Sequence, residues 1–235
     1  QAPLQGVGQF RQFSIIDLPM PNGTTRKYRI CESPIMSDQL ARKIPVKTFR
    51  VQGIDNPAEQ GRLDFGVNGF HGLVRSTDGH SFVIEPVKQG DKTCVFAYYR
   101  RDNESPRNFT CYTQPFGGGG RTFPGLGGRN NGEFGILAAG DTIKSYRLAM
   151  NATGEYTIFH GGETQGNAAI VTSVNRQNSV YEIDFAIHLN LIYNKCFTDP
   201  NTDPYTNDNG GAMLGENQTE TDNSVGDANY DMGHV

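Results

Sequence analysis

Residues 166–194, GNAAIVTSVNRQNSVYEIDFAIHLNLIYN, decide the fold because the period of their hydrophobic residues changes within the segment. The first part places Ile170, Val171, Val174 and Tyr181 at the spacing of one helix face. From residue 183 onward, apolar and polar residues alternate, which predicts a half-buried strand. Its apolar face is predicted to hold Ile183, Phe185, Ile187, Leu189 and Leu191, and its polar face Asp184, His188 and Asn190.

The residues on either side extend this pattern into a larger unit. TIKSYRLAM, residues 142–150, also alternates as a strand, so strand, helix and strand follow one another as a βαβ unit. A polar helix is expected near residues 211–226, followed by a short final strand in NYDMGHV, residues 229–235. Residues 136–235 are therefore predicted to fold as an α/β domain.

Residues 1–113 are predicted to be mainly β. Six short β-branched or aromatic runs are separated by turn residues, and Asp78-Gly79 is typical of a tight hairpin. The runs are TTRKYRI, VKTFRVQG, RLDFGV, GFHGLVRS, SFVIEP and TCVFAYYR. One helix is expected in SPIMSDQLARKIP, with Ser37 as its N-cap and Pro45 beyond its end.

Residues 114–135, QPFGGGGRTFPGLGGRNNGEFG, separate these two domains. Glycine and proline dominate the segment and it has no hydrophobic period, so it is predicted to be a linker. Arg121 and Arg129 are candidate cleavage positions within it, because trypsin-like proteases cut after arginine in exposed chain. The fold class predicted for the whole chain is α+β, with a β-rich domain followed by an α/β domain.

Composition excludes several classes of partner. The net charge is −4 and no basic stripe is present, so nucleic acid is not an expected partner. No apolar run approaches the roughly 18 residues that a membrane span requires, so a membrane is not expected either.

The first residue and the cysteine spacing bear on processing and metal binding. Because the chain begins at Gln1 and not at Met, we expect it to be either a processed product or a fragment. No C-x-x-C pair occurs, which argues against a zinc site built from cysteines.

Several longer segments resemble a known family. YRLAMNATGEYTIFHGG, FTDPNTDPYTN and LGENQTETDNSVGDANYDMGHV resemble the start of the catalytic domain of reprolysin-like zinc metalloproteases, which are metzincins. The most similar group is the secreted bacterial "kuzbanian-like" enzymes. ESPIMSDQLARKIPVKTFRVQGID and GFHGLVRSTDGHSFVIEP resemble the propeptide of those enzymes. The resemblance implies a secreted or extracellular protein that acts on protein or peptide substrates with zinc as cofactor.

The zinc-binding helix of that family, H-E-x-x-H-x-x-G-x-x-H, does not occur in this sequence. The resemblance therefore implies a chain that stops short of its zinc site and is inactive alone, with the remainder of its own catalytic domain as a partner. It also implies that the final segment is the edge strand of the substrate cleft, which binds an extended peptide in antiparallel orientation. That segment comprises Asn229, Tyr230, Asp231, Met232, Gly233, His234 and Val235. An alternative is a stand-alone inhibitory or adaptor protein derived from such a protease.

Cys111 is a candidate zinc-blocking thiol, because an unpaired propeptide cysteine can occupy the coordination position of the activated water. Two alternatives stay open: a disulfide with Cys94, across the hairpin that turns at residues 100–108, and an inert thiol. Cys31 and Cys196 are expected to be small buried side chains.

Four carboxylates are candidate calcium ligands, because calcium prefers oxygen donors. They are Glu155, Asp199, Asp203 and Asp208, the last three in or beside the segment TDPNTDPYTNDNG. Their spacing is not that of an EF-hand, and Asp, Asn and Pro clusters also form ordinary turns.

The first prediction concerns Cys111. In the full enzyme made with its propeptide, Cys111→Ala is expected to raise basal activity and Cys31→Ala to leave it unchanged, because a thiolate on zinc excludes the reactive water. Mass spectrometry of the unreduced, alkylated chain provides the check. A labelled Cys111 supports the switch, and a Cys94–Cys111 cross-linked peptide contradicts it.

Overall fold

The structure is a computed structural model that describes residues 12–76, 79–103 and 142–235. The upstream part, residues 12–103, contains a seven-stranded antiparallel sheet whose strands pair in chain order. These strands are β1 (Ser14–Pro19), β2 (Thr25–Glu32), β3 (Lys47–Gly53), β4 (Gln60–Gly66), β5 (Gly69–Arg75), β6 (Phe82–Pro86) and β7 (Val95–Tyr99). A single-turn helix, α1 (Asp38–Ala41), lies between β2 and β3, and a 3-10 turn (Arg100–Asp102) follows β7.

The downstream part, residues 142–235, alternates strands and helices. Its elements are β8 (Lys144–Ala152), α2 (Gly154–Phe159), α3 (Glu163–Asp184), β9 (Ile187–Cys196), α4 (Gly210–Ser224), a 3-10 turn (Asp227–Asn229) and β10 (Met232–His234). The three strands pair in the order β10-β8-β9, and both pairings are parallel. The predicted βαβ unit is present, and the α+β class is confirmed.

Two hydrophobic clusters stabilise the structure. The first covers one face of the seven-stranded sheet and contains Leu18, Met20, Tyr28, Ile30, Val51, Leu63, Val74, Phe82 and Ile84. The second is shared between the two parts: Ile35, Met36, Leu40, Ile44 and Val46 join Leu148, Met150, Ala152, Ala168, Ile170, Val171, Val174, Leu189, Leu191 and Cys196. Because of this sharing, the upstream part completes the core beside the parallel sheet.

Most upstream predictions are confirmed. All six predicted strands are present, and the Ser37 hydroxyl accepts a hydrogen bond from the Leu40 amide, as an N-cap does. Gly79 has a φ of +81°, as a tight turn between β5 and β6 requires, whereas Asp78 lies outside the described residues. Strand β1 was not predicted, because its adjacent Ile15 and Ile16 interrupt the alternation.

The predicted start of the second downstream strand is wrong. Helix α3 continues to Asp184, and β9 begins only at Ile187. Ile183 and Phe185, predicted to face the core, are 39% and 59% exposed. The chain leaves the helix through Ala186, whose φ of +52° lies in the left-handed region. The apolar residues at the end of α3 alternate with polar ones as they would in a strand. The predicted boundary between α3 and β9 was therefore too early.

Among the helices that the structure describes, none is long and apolar enough to cross a membrane.

Candidate functional site

Strand β10 lies at one edge of the parallel sheet, beside β8. The Asp231 amide donates a hydrogen bond to the Arg147 carbonyl over 2.9 Å, and Gly233 is opposite Ala149. The Lys144 amide and the Ala152 carbonyl bond to residues beside β9, so the alternate residues of β8, which include Ala149, face β10. In a parallel pair Ala149 bonds to the residues on either side of Gly233, so the main-chain groups of Met232 and His234 face β8 and those of Gly233 face away from it. In the described ranges no strand pairs with that side. The open edge therefore offers the main-chain donor and acceptor of Gly233 to an extended segment.

One ion pair attaches β10 to β8. Arg147 Nη2 and Nε lie 2.7 Å and 3.2 Å from the two carboxylate oxygens of Asp231, and the Arg147 amide also donates to Asp231 Oδ2 over 2.7 Å. Arg147 Nη1 donates to the Ala228 carbonyl over 3.0 Å. The hydrogen bonds from the Arg147 side chain and amide lower the pKa of Asp231 to about 2. The orientation of this edge thus depends on Arg147, which sequence reasoning did not identify.

Helix α4 supports the same edge from the sheet face opposite α3. Tyr230 Oη donates to Asp222 Oδ1 over 2.7 Å, and Gln218 Nε2 donates to Tyr230 Oη over 2.6 Å. Below them, Asn151 Nδ2 of β8 donates to Asn217 Oδ1 over 2.9 Å, and both residues are buried. Polar side chains thus fix α4 on β8 and place Tyr230 just before β10.

The strand is shorter than the segment predicted for it. Asn229 belongs to the preceding 3-10 turn, and the strand itself contains only Met232, Gly233 and His234. All three strand residues are exposed, including the His234 side chain. The role of residues 229–235 as a cleft edge stays a prediction.

Three of the four candidate calcium residues are engaged in hydrogen bonds that hold turns and loops. Asp203 accepts from the Gly154 and Tyr205 amides over 2.7 Å and 3.0 Å, and Asp199 accepts from the Asn201 amide over 2.9 Å. Glu155 accepts from the Asn207 side-chain amide over 2.6 Å. These contacts attach the loop after β9 to the start of α2. They account for these three carboxylates as parts of turns and caps.

The described residues contain no group of three or more His, Cys, Asp and Glu side chains that could hold a metal ion. Cys31 and Cys196 are buried free thiols, as expected, and Cys94 is exposed. Burial raises the pKa of both buried thiols, to about 11 for Cys196, which keeps them protonated at neutral pH. Cys111, Arg121, Arg129 and the predicted linker lie outside the described residues.

A second prediction tests the attachment of β10. Asp231→Asn is expected to accelerate amide hydrogen exchange at residues 231–234, because a neutral amide loses the charged pairing with Arg147. In the unchanged chain, the same loosening is expected as pH falls below about 4 towards 2. The pKa of Asp231 is lower folded than unfolded, so its stabilising contribution is complete above the unfolded value and is lost as the carboxylate is protonated.

Asp227→Asn is the matched control for this change, because Asp227 is an exposed carboxylate in the adjacent turn. Hydrogen exchange of β9 serves as an internal reference. Equal exchange of residues 231–234 in both variants would contradict the proposed attachment.

The downstream part has a recognisable counterpart among protein families. Residues 142–235 match the family model described as metallo-peptidase family M12B, reprolysin-like. No curated protein and no solved structure matches the chain. M12B enzymes depend on zinc, yet the described residues do not supply the ligand group that zinc requires. The matched range begins just before β8 and includes β10, so the candidate edge strand belongs to the region that is similar to a reprolysin-like metallopeptidase.

Proposed function

We propose that this chain is the N-terminal portion of the pro-form of a secreted zinc-dependent endopeptidase. The family match over residues 142–235 is the observation that carries the proposal. The upstream part is the propeptide and acts in folding and latency. The downstream part supplies the first strands and helices of the protease domain. The alternative, an inhibitory or adaptor protein derived from such a protease, accounts for the same match without catalysis.

The packing of the two parts supports a folding role for the upstream part. Ile35, Met36, Leu40, Ile44 and Val46 pack against the apolar face of β8, β9 and α3. Removing them would expose that face to water, at about 25 cal/mol for each Å² of apolar surface. A protease domain that folds beside this surface is therefore stabilised by the upstream part.

The edge of β10 is the proposed rim of the substrate cleft. Gly233 offers an outward main-chain N–H and carbonyl, and an extended peptide that pairs with them gains affinity without a demand on its side chains. The remainder of the catalytic domain would supply the zinc ligands, since the sequence contains no H-E-x-x-H helix. No catalytic step is assigned to the residues of this chain.

The third prediction tests this rim in a protein extended through the zinc-binding helix that the proposal expects. Gly233→Pro removes the outward N–H and is expected to lower kcat/KM about three- to tenfold, the effect of one hydrogen bond. Gly233→Ala keeps that N–H, with its new methyl 3.3 Å from Asn217 Nδ2, and is expected to have nearly unchanged kinetics. If another strand of the same domain covers the edge instead, Gly233→Pro lowers Tm and leaves kcat/KM unchanged.

The fourth prediction concerns metal binding by the chain itself. After dialysis against buffer treated to remove metals, the 235-residue chain is expected to retain no stoichiometric zinc and to hydrolyse no peptide bond. The scattered positions of His71, His80, His160, His188 and His234 are the reason, because no two of them are four residues apart. Elemental analysis that finds one tightly bound zinc per chain would contradict the proposal.

A further inference from the structure

The upstream part covers the outer edge of β9. The Leu191 amide donates to the Ile35 carbonyl over 2.7 Å, and the Ser37 amide donates to the Leu191 carbonyl over 2.9 Å. Met36 thereby forms a parallel bridge with Leu191, which is fully buried. This edge of the parallel sheet is thus occupied by main-chain pairing from residues 35–37.

A buried charge cluster joins the upstream sheet to α3. Arg50 and Arg62 lie directly opposite each other on β3 and β4, an unfavourable pair of like charges. Glu182 of α3 lies against both: Arg62 Nη1 donates to Glu182 Oε1 over 2.9 Å, and Arg50 Nε is 3.6 Å from Oε2. His188 Nδ1 of β9 is 2.7 Å from Glu182 Oε1. One carboxylate from the downstream part therefore pairs with two arginines of the upstream part.

Further hydrogen bonds hold Arg62 and Asp64 at this interface. Arg62 Nε donates to Asn175 Oδ1 of α3 over 2.7 Å, and Nη2 donates to the Ser33 carbonyl over 2.8 Å. Asp64 accepts from the Thr172 hydroxyl over 2.7 Å. The Arg62 side chain is only 1% exposed and that of Glu182 only 5%. Such a network forms only when β4 and α3 are in register.

The edge of β9 that residues 35–37 cover and the open edge of β10 lie on opposite sides of the parallel sheet. The order is β10-β8-β9, and residues 35–37 lie beyond β9. Two strand spacings of roughly 4.8 Å separate β9 from β10. The described upstream contacts with the parallel sheet therefore leave the outer edge of β10 open.

We infer that the upstream part is a docking partner for the surface formed by α3 and the outer edge of β9, and that it binds this surface without a covalent connection. Glu182 is the positioning residue, because it is the carboxylate that faces Arg50 and Arg62 together. The two parts form a one-to-one complex in which β10 stays open. This inference concerns assembly and stands whether or not the parent protein is a protease.

The test divides the chain between Gly118 and Gly119, so that every residue is kept, and produces both halves in one cell. An affinity tag on residues 1–118 is expected to retain residues 119–235 in a one-to-one complex by native mass spectrometry. Glu182→Gln removes the carboxylate that faces both arginines and is expected to weaken the complex about a hundredfold or more in a dilution series.

Asp184→Asn is the matched control, since Asp184 lies on the same helix end and pairs with Arg75 across the same two parts. That pair is 2.9 Å long, but its side chains are 30% and 38% exposed. Its loss is expected to weaken the complex by less than about fivefold. Equal weakening by the two variants would overturn the role of Glu182.

A further measurement needs no substitution and covers the case in which Glu182→Gln does not fold. Hydrogen exchange of the α3 amides is compared between the intact chain and the two-chain complex. Equal protection is expected, because the docked surface is the same in both. Separate elution of the unmodified halves, or loss of α3 protection in the divided protein, would overturn the inference.

Discussion

The structure depends on the placement of Glu182 against Arg50 and Arg62. Burial raises the pKa of Glu182, but the hydrogen bond with His188 and the charges of Arg62 and Arg50 outweigh it and hold that pKa below its ordinary value. A buried pair of this kind adds little net stability, yet removing one partner costs about 3–5 kcal/mol. Its main effect is specificity: among the ways of packing α3 on a seven-stranded sheet, it favours the one that satisfies both arginines.

The sequence predicted the elements well because their signals are local. Short β-branched or aromatic runs between turn residues predicted six upstream strands, and Ser37 marked the start of α1. The contacts between the parts were not predictable in this way, since Arg62 and Glu182 are 120 residues apart in sequence. The run RLDFGV predicted a strand but did not reveal that a helix buries Arg62. The same limitation applies to His188, which was assigned to a polar face and is buried.

The candidate site was likewise predictable only where its signals are local. The final strand was predicted from its sequence, but its attachment through Arg147 was not, because the ion pair joins residues 84 positions apart. The polar sequence of helix α4 predicts a solvent-exposed helix, whereas Asn217 and Thr221 are buried against β8. Each of these two side chains is hydrogen-bonded, which offsets the free-energy cost of burying a polar group. Hydrophobic patterns identify apolar cores, and they miss interfaces built from paired polar groups.

The two edges of the parallel sheet differ in a way that bears on function. Parallel sheets are ordinarily covered, and an uncovered edge invites pairing with another chain. Residues 35–37 cover β9, so β10 is the edge that no described strand pairs with. Only three residues form this strand, and the charged Asp231 precedes it, which limits uncontrolled association. A short strand held at a fixed angle by Arg147 is better suited to receive one extended segment than to start a fibre. This is why the candidate function is assigned to β10 and the assembly function to α3 and β9.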